Sequence, residues 1–177
     1  MTYDFSCSIL NSVRTFVPTR RMPNPVKMTV LESTNDFHKV CAVVRSGNFG
    51  HGSSVSLSSE QRKQLGIEGD YQAGHILAKM LGGSGSDLNN VVPMQKTHNN
   101  GAYKEHEFDV RKFIKQCEEV APGKQVEARI TFTIYYRPNQ GSQTRIPNRI
   151  KFDTVMYTDG KEGVSYTGDF NNLERLE

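Results

Sequence analysis

Several absences narrow the field before any motif is considered. No apolar run approaches the length of a bilayer span, so no membrane helix is predicted. The N-terminus has no signal-peptide h-region, because Ser and Asn interrupt its apolar residues. Export then needs another route, or the chain is one domain cut from a longer protein. Cysteine is scarce: Cys7, Cys41 and Cys117 are odd in number, widely spaced and without a CxxC pair. That pattern fits neither a disulfide framework nor a zinc site. Cys41 lies in an apolar run and Cys117 on a predicted helix face, so both are read as core thiols. Internal repeats and low-complexity segments are missing as well.

An excess of one charge is also lacking. The formal charge is only +3, weak evidence by itself for a nucleic-acid partner. Its distribution says more. From Met1 to Val30 the bases are Arg14, Arg20, Arg21 and Lys27 against the single acid Asp4. From Arg137 to Lys151 they are Arg137, Arg145, Arg149 and Lys151, with no acid. Two basic segments could flank a phosphate-binding groove, or both could be solvated loops.

What is present is an ordinary globular chain. Its 177 residues, 36% hydrophobic and 23% charged, suit one domain with a real core. Residues 1–36, punctuated by Pro18, Pro23 and Pro25, predict an extended, wrapping segment. Residues 37–177 then form the main domain. Phe37 to Val44 reads as a buried strand, followed by a glycine-rich loop from Arg45 to Ser54. A short helix starts at Ser58 or Ser59 and ends near Gly66. The main helix runs from Asn99 or Asn100 to about Val120, with Val110, Phe113, Ile114 and Cys117 as its buried face. Strict alternation from Val126 to Tyr136 marks the clearest strand. A second strand, from about Arg149 to Tyr157, completes a long antiparallel hairpin packed on that helix. The fold class is α+β.

The polar stretch between Gly69 and Glu107 asks for a chemical explanation. His75 has a side chain that titrates near neutrality, as a general base must. Small Ala73 and Gly74 precede it, where a large substrate backbone could approach. The competing explanation is a buried histidine at a strand end. Asn99, Tyr103 and Glu107 are spaced i, i+4, i+8, which on a helix places them on one side within about 12 Å. An amide oxygen is a hard, neutral ligand suited to Mg²⁺, and Glu107 could bind the ion or its waters. The competing explanation is an N-cap at Asn99 and a solvated acid at Glu107. Neither accounts for His75, Asn90, Gln95, Asn99 and Glu107 falling so close together.

Gly74-His75-Ile76-Leu77-Ala78, Gly82-Gly83, the run from Asn89 to Gln95 and the run from Asn99 to Glu107 resemble the DNA/RNA non-specific endonucleases of the ββα-metal (His-Me finger) superfamily. The likeness spans about residues 66–120 and is greatest to the branch found as toxin domains of bacterial polymorphic toxins. It implies a ββα-metal finger embedded in a single antiparallel-sheet domain, with one main helix and a long C-terminal hairpin. The implied activity is Mg²⁺-dependent hydrolysis of DNA or RNA phosphodiesters, with Mn²⁺ as an alternative ion. His75 would be the general base, Asn99 and Glu107 the metal site, and Asn90 the residue that steadies the loop and the histidine. Gln95 and Tyr103 would contact substrate. Arg45, which ends a strand before a loop, is the candidate phosphate-binding arginine; its alternative is a solvated strand-end charge.

The chain departs from its relatives at three places. Gln72 stands where many carry an acid three residues before the histidine, and a bulge would be needed to bring in Asp70. Met94 separates Pro93 from Gln95, and Tyr103 replaces a common Trp. A nuclease of this branch would be a secreted or delivered effector acting in a target cell's cytoplasm, with an immunity or inhibitor protein as partner and no membrane. The alternatives are a nucleic-acid-binding relative with little cleavage, or an interaction domain for an acidic inhibitor.

Overall fold

The structure, a computed structural model, describes residues 25–95, 102–136 and 146–172, without the side chains of Ala102 and Tyr103. Its frame is a five-stranded antiparallel sheet in the order β1-β2-β5-β6-β7. The strands are β1 (Thr29–Ser33), β2 (Phe37–Val44), β5 (Val126–Tyr136), β6 (Pro147–Thr158) and β7 (Lys161–Asn171). A separate pair, β3 (Tyr71–His75) and β4 (Val91–Gln95), is also antiparallel. The helices are α1 (Ser59–Leu65) and α2 (Ala102–Val120). Among the described residues no helix is long and apolar enough to cross a membrane.

The alternation along β5 sorts its residues as expected. Val126, Ala128, Ile130, Phe132 and Ile134 enter one core with Val40, Ala42 and Val44 of β2 and Ile150, Phe152 and Met156 of β6. Helix α2 closes that core with Val110 and Ile114, while Phe113 and Cys117 pack at its edge. The short helix α1 also matches expectation: Ser58 accepts from the Gln61 amide, and Gly66 ends the helix at φ 75°.

Several features depart from the sequence reading. The segment before residue 37 contributes β1, which pairs with β2, so the sheet begins earlier than the boundary at 36. Strand β7 extends the predicted hairpin by a third member. Cys41 is disulfide-bonded, which corrects its reading as a free core thiol; Cys117 is free. The second basic segment is neutralised where it is described. Arg149 pairs with Asp169 on β7, and Lys151 lies 3.2 Å from Asp153. Arg14, Arg20, Arg21, Arg137 and Arg145 lie outside the described residues.

Strand β4 carries a proline at its centre, a residue that usually argues against a strand. Residues of a strand direct their N–H and C=O to the same side. Asn172 Nδ2 donates to the Pro93 carbonyl at 3.0 Å, so the nitrogen of Pro93 faces away from β3 and its missing proton costs the ladder nothing. Asn172 also accepts from the Gln95 amide at 3.1 Å and donates to the Pro147 carbonyl at 2.8 Å. This one buried side chain clasps the β3–β4 pair to the start of β6.

Candidate active site

A cleft of about 440 Å³ opens where β3 ends. His75, Ala78, Lys79 and Met80 line it from β3 and the turn that follows, Gly50 from the glycine-rich loop, and Lys104 and Glu107 from the first turns of α2. His75 and Glu107, distant in sequence, are therefore brought together.

His75 is half-buried, and its Nε2 lies 2.9 Å from the Ser53 carbonyl. A carbonyl only accepts, so the neutral ring donates from Nε2 and keeps Nδ1 as its basic nitrogen. Burial lowers the pKa of His75; the Ser53 bond opposes that shift, and the nearby Lys79 charge adds to it. Ser53 had drawn no attention in the sequence, because its contribution is a backbone atom. It is held in place by contacts with the turn after β3: Ser53 N donates to Gly83 O at 3.1 Å, and Gly85 N donates to Ser53 Oγ at 2.9 Å. Gly83 is required there, since a Cβ at that position would sit 1.8 Å from the Leu77 carbonyl oxygen.

Glu107 is half-buried, and burial pushes its carboxyl up to about 7, with Lys104 opposing the shift. Among the described residues no donor hydrogen-bonds to it. A carboxyl so poorly compensated gains from a cation. The described residues hold no ready-made cage of three or more His, Cys, Asp or Glu side chains. One carboxylate in a polar cleft suits a hard ion that keeps most of its water. Asn99, the other expected ligand, lies outside the described residues. Tyr103 falls in the first turn of α2, its side chain also outside them.

Three other expected site residues stand outside the cleft lining. Asn90 is fully buried, and its Oδ1 accepts from Leu77 N at 2.7 Å. Its Nδ2 donates to Leu77 O at 3.1 Å and Ser84 O at 2.9 Å, so it locks the turn that follows His75. Gln95 is buried on β4 and does not line the cleft. Arg45 is paired with Glu127, which Arg129 also binds at 2.8 Å, and it too is outside the cleft lining.

The approach to His75 also differs from expectation. Gly74 is buried, and a Cβ there would meet Met94 Sδ at 2.4 Å, so the space above Gly74 belongs to Met94 rather than to substrate. The register of β3 with β4 is unbroken from Tyr71 to His75, so no bulge carries Asp70 toward the histidine. Gln72 and Asp70, at odd spacings from His75, are exposed and precede it on or beside the strand's other face.

The role of Asn90 can be measured. Asn90→Ala strands a buried amide and two carbonyls and is expected to cost about 3 kcal/mol of stability, read from urea unfolding. Asn90→Asp keeps the acceptor for Leu77 N but sets a buried carboxylate oxygen against the Leu77 and Ser84 carbonyls, so it should lose at least as much. An alanine variant within about 0.5 kcal/mol of wild type would show that the turn holds itself.

Comparisons with known proteins bear on the fold and the family. No curated protein matches the sequence. A crystal structure of NucA from Streptococcus agalactiae with magnesium ion bound is similar in fold, with a TM-score of 0.55 and 14% identity over 92% of this chain and 77% of that one. An extracellular endonuclease is similar with a TM-score of 0.51 and 13% identity, covering 98% of this chain and 89% of its own. The family model for DNA/RNA non-specific endonuclease matches residues 52–153, a span that holds both His75 and Glu107. That span is more than half of the chain, which therefore belongs to the DNA/RNA non-specific endonuclease family and is a nucleic-acid hydrolase.

Proposed function

We propose that this chain is a Mg²⁺-dependent endonuclease that cuts DNA, RNA or both with little base preference, and that β3, β4 and α2 are its ββα-metal finger. The observation that carries this reading is the shared cleft of His75 and Glu107, with the tautomer of His75 set by Ser53. His75 Nδ1 takes the proton of the attacking water as the general base. Asn99 and Glu107 hold the ion; Mn²⁺ suits the same oxygen donors. When bound, the ion would supply Lewis-acid charge at the scissile phosphate, and cleavage at the 3′ oxygen would leave 5′-phosphate ends. Contacts confined to phosphate and sugar account for the low base preference.

The same reading makes the chain a toxin or effector domain that is secreted or delivered to a target cell and held in check by an acidic inhibitor protein. The motif resemblance to toxin nucleases supports this, as does the fold likeness to an extracellular endonuclease. The disulfide at Cys41 suits passage through an oxidising compartment.

Plasmid DNA and total RNA incubated with the protein in Mg²⁺, and in EDTA, test the central reading. Degradation of at least one substrate in Mg²⁺ and none in EDTA is expected. Equal degradation in EDTA would overturn the metal dependence. Intact substrates with a folded, Mg²⁺-supplied protein would favour the binding relative.

A further inference from the structure

The cleft has a cationic side that the sequence reading did not assign. Arg45 was expected to meet the phosphate, yet it is paired with Glu127. Among the described residues, the cations that line the cleft are Lys79 and Lys104.

Both are placed in ways that ordinary packing does not require. Lys79 starts the turn Lys79–Leu81, and its Nζ donates to Ser54 Oγ at 2.9 Å. Ser54 adjoins Ser53, so one short segment orients the base and the ammonium together. A lysine has three donors, and two remain for a ligand. Lys104 sits in the first turn of α2, where the helix dipole disfavours a positive charge. It lies one turn before Glu107, is exposed, and makes no ion pair among the described residues. Among the described residues, two cations and one carboxylate line this cleft. That balance attracts an anion before any metal is counted.

We propose that Lys79 and Lys104 bind the scissile phosphate of the nucleic-acid substrate, the role for which Arg45 was expected. The assignment rests on the endonuclease reading of the cleft. Ammonium groups act as point charges without the fixed fork of a guanidinium. They hold a phosphodiester while its oxygens rearrange around the attacked phosphorus, and they read no base edge. Lys79 adjoins the base and Lys104 adjoins the carboxylate, so the phosphate is gripped between the two groups that act on it.

The test separates binding from cleavage. Fluorescence anisotropy of a labelled duplex is measured in EDTA across a salt series, in a His75→Ala background, with and without Lys79→Gln and Lys104→Gln. Glutamine at position 79 retains a donor for Ser54, which protects the fold. Each substitution is expected to lower the slope of log K against log salt by about 0.9 and to weaken binding about tenfold. With His75 intact, each should reduce kcat/KM by at least about tenfold, and Lys79→Arg should recover most of the loss. Folded glutamine variants that keep the wild-type salt slope would overturn the assignment, even with cleavage impaired. If His75→Ala cleaves like wild type, the base assignment fails, while the salt slopes still decide the lysines.

Discussion

His75→Ala is expected to cut kcat/KM for plasmid cleavage about 10³-fold, in the middle of the range for loss of a general base. The variant should remain folded. His75 is half-buried and makes one hydrogen bond, to the backbone carbonyl of half-buried Ser53, which water can hydrate when the ring is gone. The geometry also sets the pH dependence. Protonation at Nδ1 removes the base, and burial shifts that event to lower pH than the ordinary histidine value of 6.5. The acid limb of the kcat/KM profile should therefore lie below 6.5, with more than half of the maximal activity left at that pH. A His75→Ala variant within tenfold of wild type would remove this residue from the mechanism. An acid limb above 6.5 would show that another group controls the proton.

The elements that the sequence revealed are those whose pattern is set by burial on one face. Strands β2 and β5 alternate or run apolar because each has neighbours on both sides, and α2 repeats Val110, Phe113, Ile114 and Cys117 because its one buried face meets the sheet. Strand β7 escaped notice because it is an edge strand, exposed over Lys161 to Ser165, with only Tyr166 and Phe170 packed inward. Strand β4 was hidden by Pro93, whose fit depends on Asn172, 79 residues away. One charge partner was hidden for a similar reason. The run from Arg137 to Lys151 has no acid of its own, but Asp169 reaches Arg149 across the β6–β7 ladder.

At the site, His75 and Glu107 stood out through their chemistry and motif context. Ser53 acts through a backbone oxygen, which leaves no mark in a side-chain pattern. Lys79 and Lys104 look like any surface lysines until the turn after β3 and the start of α2 are seen to border one cleft. Arg45 looked suitable because it ends a strand before a loop, and only the fold reveals that Glu127, on the neighbouring strand β5, already occupies it.

Glu107→Gln should move activity and stability in opposite directions. On the proposed reading the ion would lose an anionic ligand, and Mg²⁺-supported cleavage is expected to fall at least about 10²-fold. The apoprotein, by contrast, should gain stability at pH 8. The carboxyl titrates near 4.5 when free and at about 7 when folded. Between those values the folded state holds the proton more tightly than the unfolded state, so wild-type stability falls as pH rises through this window and the full penalty is in place above 7. Allowing for solvent screening, the penalty is about 2 kcal/mol. The Gln variant avoids it and should melt about 5 °C higher than wild type in EDTA at pH 8, with the difference vanishing near pH 4. On the proposed reading, added Mg²⁺ would pair with the wild-type carboxylate and raise the wild-type Tm, by about 2.7 kcal/mol of stabilisation at a hundredfold excess over Kd. The Gln variant should show little of that rise. A residue that merely supported the fold would lose stability and activity together. An equal Mg²⁺-induced Tm shift in both proteins would place the ion elsewhere and leave Glu107 without its role.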